Sequence, residues 1–385
     1  MTPEQKLLID AVRASVTGKP VTVETEPDWQ SFVNLARFHK LEALAFDGLH
    51  KCGVPLPAAV QQYLNGAYMS AIFHDTQMSY RKQQLQAALE DAGVEHIFLK
   101  GTVLKHNYPV PALRTMGDMD ILVHAKDFGI IDRLVKTLGA KQMVGDGNHR
   151  NYSFDGQVAV EFHPNLLHHA TPVGTGINPG WQYAKNTPDL LSRELTEEGF
   201  YLNTVCHLAN HFVAGGVGVR FILDVWVNRH LRKPEPDRVF VESELERFGL
   251  LDFVQKIEML AEAWFGEGEM TPLLEEMGEY ILTSGVHGTP DREMLNAMSL
   301  SSGGSRASAL FKKAFYPRAE LEDRFPWCKG KPLLLPAAWC CRAYTAITQH
   351  GHIIAKWSKD TGKISKEQVA ENQNKLKRFG INRKD

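Results

Sequence analysis

Along residues 1 to 92 the apolar positions recur at helical spacing. Leu64, Tyr68 and Ile72 line one side of a segment that Pro57 can open and that ends, after the charged stretch "SYRKQQLQAALEDAG", at Gly93. The period then changes. "VEHIFLKG", from residue 94, reads as a short strand ending in glycine, "TVLKHNYP" as a helical turn and "TMGDMDILV" as a second strand. "AKDFGIIDRLVKTLGAK" returns to helical spacing and closes on a glycine. "HRNYSFDGQVAVEFHPNL" alternates as a hairpin turning at Asp155 and Gly156, with "VAVEFHP" as its second arm. A Gly/Pro/Thr loop occupies residues 171 to 180, and helical spacing resumes near 196, with "SLSSGGSRAS" (299 to 308) as a flexible break. No internal repeat is present. The expected fold class is α+β: a helical region over 1–92, a small mixed β-sheet core over 93–195, and a larger helical region over 196–385.

Composition narrows the function classes. The 385-residue chain is 43% hydrophobic, enough for a buried core, and its 43 Lys and Arg against 45 Asp and Glu leave a net charge of -2. That balance supplies no global basic field for a long nucleic acid or a membrane surface. The cysteines, Cys52, Cys206, Cys328, Cys340 and Cys341, are odd in number and lack CxxC spacing, which argues against a disulfide framework and against structural zinc. Reduced thiols in a cytoplasmic protein are expected. The opening "MTPEQKLLIDAVRASV" reads as an amphipathic helix with acidic residues, not a secretory leader, and the apolar run "LLLPAAWCC" is too short to span a bilayer.

The chemistry concentrates in "RTMGDMDILV", residues 114 to 123. Side chains alternate across a strand, so Met116, Asp118, Asp120 and Leu122 share one face while Gly117, Met119, Ile121 and Val123 share the other. Two carboxylates side by side in a buried segment disfavour each other's ionisation unless a cation compensates them. An oxygen-preferring divalent ion, Mg²⁺ or Mn²⁺, would do so. In "VAVEFHP" the apolar Val158, Val160 and Phe162 face one way and Glu161 and His163 the other, which makes Glu161 a third candidate ligand. Three carboxylates on adjacent strands are what a two-metal phosphoryl-transfer site requires. The plain alternative is a DxD exposed on an edge strand.

A glycine-ended strand, a short helix, a strand carrying two aspartates and a later strand with a third acid together resemble the DNA polymerase β-like nucleotidyltransferase superfamily. More closely, "FLKGTVLKHNYPVPALRTMGDMDILV" followed by "VEFHPNL" resembles an uncharacterised bacterial nucleotidyltransferase family with an LKG…R…DxD signature. "HLANHFVAGGVGVRFILDVW" and "FYPRAELEDRFPW" resemble that family's helical part. The resemblance implies that Asp118, Asp120 and Glu161 hold the metals, that Gly101 lets the backbone approach the nucleotide phosphates, and that Thr102 stands where the superfamily usually has serine. The chain departs from the superfamily in having Lys100-Gly101-Thr102 where Gly-Gly or Gly-Ser is usual, and in placing 16 residues between Gly101 and Asp118. Lys100 and Arg114 then become candidate phosphate partners, Arg114 in a bidentate fashion. His163, on the face of Glu161, is a further one.

Other constellations read more simply. His207 and His211, four apart on a helix, lack a third ligand and are expected to be structural or to line the substrate cleft. Arg220 and Asp224 have i, i+4 spacing and are expected to pair across a helix turn. His168 and His169 read as loop or cap residues, "LFKKAFYPR" as an amphipathic packing helix, and "NKLKRFGINRKD" as a solvated basic tail. The function expected is metal-dependent transfer of a nucleoside monophosphate from an NTP, ATP among them, to an unidentified acceptor, a protein, small molecule or sugar ahead of a nucleic-acid end, with release of pyrophosphate. The rivals are a DxD glycosyltransferase, which would place a βαβ segment where residues 1–92 read as helical, and a non-catalytic nucleotide-binding or interaction protein on the same fold.

Overall fold

The computed structural model describes residues 1–143, 149–156, 158–165, 180–185, 187, 190–286, 288–301, 318, 321–322, 325–344, 348 and 364–382. Four helices lead in: α1 (Pro3–Thr17), α2 (Trp29–Phe38), α3 (Glu42–Lys51) and α4 (Ala58–Asp91). Local chemistry sets their ends. Thr2 and Gln5 form a reciprocal capping box at the start of α1, and Gly18 closes it at φ 74°. Asp28 accepts the Gln30 and Ser31 amides at the start of α2. Pro57 precedes α4, and Gly93 turns the chain out of it at φ 69°.

A six-stranded mixed sheet follows, built from β1 (His96–Phe98), β2 (Asp118–Val123), β3 (Lys141–Gln142), β4 (Arg150–Phe154), β5 (Val158–His163) and β6 (Ser192–Arg193) in the order β3-β4-β5-β2-β1-β6. β2 runs parallel to β5 and β1 parallel to β6, whereas the β1/β2, β3/β4 and β4/β5 pairs are antiparallel. The β4–β5 hairpin turns through Asp155 (φ 53°) and Gly156 (φ 69°), where the sequence places it. α5 (Gly101–Leu104) follows β1, and α6 (Phe128–Thr137) follows β2. The edge strands β3 and β6 escape the sequence pattern because two residues cannot display a period.

The period-2 pattern separates two cores. Met119, Ile121 and Val123 of β2 and Val158, Val160 and Phe162 of β5 pack with Met78, Leu85 and Leu89 of α4 and Ile131 and Val135 of α6. Each such side chain gains roughly 1.5–3 kcal/mol on leaving water. From the other face Ile97, Leu99 and Leu122 enter a larger cluster with Leu8 of α1, Leu44 of α3 and the helices that follow the sheet. Those are α7 (Glu197–Ala214), α8 (Val219–His230), α9 (Arg238–Phe248), α10 (Leu251–Phe265), α11 (Pro272–Leu282) and α13 (Lys366–Arg378), while Met298 of α12 (Pro290–Ser299) packs separately with Val369 of α13. Helices from before and after the sheet therefore share one core, which β2 joins through Leu122. No described helix is long and apolar enough to cross a membrane. His168, His169, the loop at 171–179, the break at 302–308 and most of "LFKKAFYPR" lie outside the described residues.

Candidate active site

Register brings the acids together. β2 and β5 are parallel neighbours, with Asp120 opposite Glu161 and Leu122 opposite His163, so the alternation in each strand sends Asp120, Glu161 and His163 to one side. One ligand atom from each of these three lies within 4.8 Å of the others, an arrangement able to hold a metal ion. Asp120 is 4% exposed. Its Oδ1 accepts from Lys100 Nζ at 2.7 Å and lies 2.9 Å from His163 Nε2. The same His163 nitrogen is 3.3 Å from Glu161 Oε2. Asp118, two residues earlier on the same strand face, is open to solvent and has no hydrogen bond or ion pair among the described residues.

The charges follow from that geometry. Burial alone would raise the Asp120 carboxyl, but Lys100 and His163 outweigh it and hold the group well below the usual carboxylate range. His163 supports Glu161 through its hydrogen bond and lowers that carboxyl too. Burial works against protonated His163, yet the bonds to Asp120 and Glu161 prevail and raise its pKa. Asp118 moves the opposite way: although the residue keeps contact with solvent, partial desolvation of its carboxyl, followed by the Asp120 charge, raises it. Lys100 and His163 sit directly against Asp120 and Glu161, whereas no ion pair reaches Asp118 among the described residues. A donor set rich in carboxylate oxygen, with surplus negative charge at its mouth, fits a hard divalent cation.

Lys100 reaches Asp120 from an unusual backbone position, φ 49° and ψ −125°, between β1 and α5. Such a conformation for a residue with a Cβ stores about 1–3 kcal/mol and persists where the surroundings enforce it. The Lys100 carbonyl accepts the Val103 and Leu104 amides at 3.2 and 2.8 Å. At Gly101 a Cβ would stand 2.3 Å from Arg114 Nη1 and 3.3 Å from Met116 Cβ, so the glycine makes room for Arg114 across the turn. Thr102 is buried, its hydroxyl turned to Met116 Sδ at 3.9 Å and its amide bonded to the Leu99 carbonyl at 3.2 Å. Within the turn, Gly101 and Thr102 thus pack against Arg114 and Met116, while the Lys100 side chain points to Asp120.

Arg114 and Asp224 form a pair that sequence spacing cannot show. Arg114 donates from Nε to Asp224 Oδ1 at 3.1 Å and from Nη2 to Oδ2 at 2.6 Å, and the Tyr108 hydroxyl donates to Oδ1 at 2.6 Å. The bidentate fork foreseen for phosphate is thus closed on a carboxylate. The expected Arg220–Asp224 helix pair is overturned for the same reason: Asp224 is already taken, and Arg220 donates from Nη1 to the Thr115 carbonyl at 2.7 Å. A planar two-point pair between neighbouring elements outcompetes an i, i+4 contact on a helix surface.

His207 and His211 stack edge to face, their ring centroids 4.4 Å apart, and both contact Phe221. Burial pushes the His207 pKa far down, and the Lys100 charge pushes it further. Of the groups that complete the site, the Lys100–Asp120 pair and the Tyr108–Asp224–Arg114 triad carry no sequence signal because their partners are 20 to 116 residues apart. His163 had one: it shares the face of Glu161.

Residues 25–266 match a family model described as an uncharacterised nucleotidyltransferase, and they contain both aspartates of β2, Glu161 and the α7–α8 wall. No curated protein and no solved structure matches the chain. A matched segment of well over half the chain, centred on the carboxylate-bearing strands, makes this protein a member of the uncharacterised nucleotidyltransferase family and, with it, a transferase.

Proposed function

We propose that the protein is a metal-dependent nucleotidyltransferase that moves a nucleoside monophosphate from an NTP to an acceptor and releases pyrophosphate. The observation that carries this reading is the in-register meeting of Asp120 and Glu161 on parallel strands, with Asp118 beside them and in no ion pair among the described residues. Asp118, Asp120 and Glu161 would hold the metal, Mg²⁺ or Mn²⁺. Bound there, it would supply the positive charge that the polyphosphate and the attacking oxygen need.

The chain's own groups do the rest. The acceptor hydroxyl attacks the α-phosphorus, the bond from that phosphorus to the bridging oxygen breaks, and pyrophosphate leaves with the bond's electron pair. The hydroxyl proton passes to Glu161, which His163 keeps ionised through their 3.3 Å contact. Lys100, which would leave Asp120 once that oxygen takes the metal, and Gly101 and Thr102 in the turn behind it flank the phosphates. Arg114 steadies this wall through Asp224. The test is calorimetric titration of each NTP with Mg²⁺ or Mn²⁺ into the parent and into Asp118→Ala/Asp120→Ala. Metal-dependent binding that the double substitution abolishes supports the reading. Undiminished binding by the double variant, or none by the parent, refutes it.

A further inference from the structure

Arg220, the second residue of α8, is 8% exposed, and its one hydrogen bond among the described residues goes to the Thr115 carbonyl. Its Nε is buried with no hydrogen-bond partner among the described residues. Among the described residues no carboxylate contacts it, because Asp224 is occupied by Arg114 and Tyr108. Two guanidiniums therefore lie close together with a single carboxylate between them, and Arg220 is the one left over. Burial, then the Arg114 charge, pushes its pKa down to about 10. A charge withdrawn from water without a counter-ion is among the least favourable arrangements in a protein interior, and its retention calls for an anion that arrives from outside.

The position says which anion. Thr115 leads through Met116 and Gly117 straight into Asp118, and the Asp118 charge reaches Arg220. An unpaired carboxylate and an unpaired guanidinium thus flank the same end of β2. One lacks a cation and the other an anion, and a metal–polyphosphate complex provides both at once. Gly218 brings no capping side chain to the start of α8, where the Val219 amide donates to His39 Nδ1 at 3.4 Å.

We propose that Arg220 is the guanidinium that binds the polyphosphate of the nucleotide, while Arg114 is a positioning residue locked onto Asp224. The assignment rests on the nucleotidyltransferase reading and goes beyond it by separating the two arginines. A planar fork matches two phosphate oxygens in a way a lysine does not.

The probe is inorganic tripolyphosphate with Mg²⁺, titrated into the parent, Arg220→Gln and Arg220→Lys, with thermal unfolding of each. Expected is binding by the parent, weakened about tenfold to a hundredfold in Arg220→Gln, the loss of one charge-assisted contact. Arg220→Lys keeps the charge and falls between. Arg220→Gln should melt no earlier than the parent without ligand, since it removes an uncompensated buried charge; a merely structural arginine would lower the melting temperature. Equal tripolyphosphate binding by parent and Arg220→Gln, or no binding by the parent, overturns the assignment. If NTP binding still depends on Asp118 and Asp120 in that case, the nucleotidyltransferase reading survives without it. Loss of tripolyphosphate binding in Arg220→Gln, with NTP binding indifferent to the aspartates, would instead uphold the anion site and sink that reading. Should Arg220→Gln fail to fold, Arg220→Lys decides: unchanged affinity in it overturns the proposal.

Discussion

Lys100→Met removes the ammonium that sits 2.7 Å from Asp120 Oδ1, in a pair whose side chains are 19% and 5% exposed. Breaking a buried pair by deleting one partner costs about 3–5 kcal/mol, because the remaining charge stays desolvated. His163 still faces Asp120 at 2.9 Å, so the loss should fall near the lower limit, about 3 kcal/mol. Methionine keeps the bulk of the stem, so the change is mainly electrostatic. The same pair competes with any metal for Asp120. Binding a divalent ion in the parent requires that oxygen to leave Lys100, whereas in Lys100→Met it is free. The variant should therefore be the less stable protein without metal and the tighter metal binder. Mn²⁺ at a hundred times its dissociation constant should return about 2.7 kcal/mol. Urea unfolding followed by near-ultraviolet circular dichroism, with and without Mn²⁺, gives the stability changes, and calorimetry gives the affinity. A Lys100→Met protein within about 0.5 kcal/mol of the parent, binding Mn²⁺ no more tightly, would refute the view that Lys100 occupies the cation's place.

Two further outcomes are expected. Asp224→Ala strands the buried Arg114 beside Arg220 and leaves the Tyr108 hydroxyl without its acceptor, so it should cost about 4 kcal/mol or more; Arg114→Met/Asp224→Leu, which removes both charges, should cost less than that single change in the same urea experiment. The His163 pKa is raised above 6.5 by its carboxylate partners, so its pairing adds stability in full below that value and loses it as pH rises through the folded-state pKa. Nuclear magnetic resonance titration of the ring should give a midpoint above 6.5 that falls in Asp120→Asn, and an unchanged midpoint would show that Asp120 does not hold the proton there.

The carboxylate strands were legible because two periods overlap in them. Alternation in β2 and β5 demands that Met119, Ile121, Val160 and Phe162 be buried together, and this burial forces Asp120 and Glu161 to the other face whatever surrounds them. The same logic located the β4–β5 hairpin, whose turn needs residues such as Asp155 and Gly156 that tolerate positive φ. Edge strands of two residues, and pairs such as Tyr108 with Asp224, leave no such trace.

By itself, then, the sequence determined which residues are helical, which strands carry the acids, and that the acids share a face, because these depend on local periods and on the hydrophobic effect acting strand by strand. Only the tertiary structure decided the partners. Lys100 meets Asp120 because the backbone reverses at an unfavourable φ between β1 and α5, and Arg114 takes Asp224 because α8 is packed against the segment leading into β2. Arg220 is left without a carboxylate as a consequence. Ion pairing in a low-dielectric interior is settled by which groups arrive within about 3 Å of one another, and that depends on the packing of elements far apart in the chain.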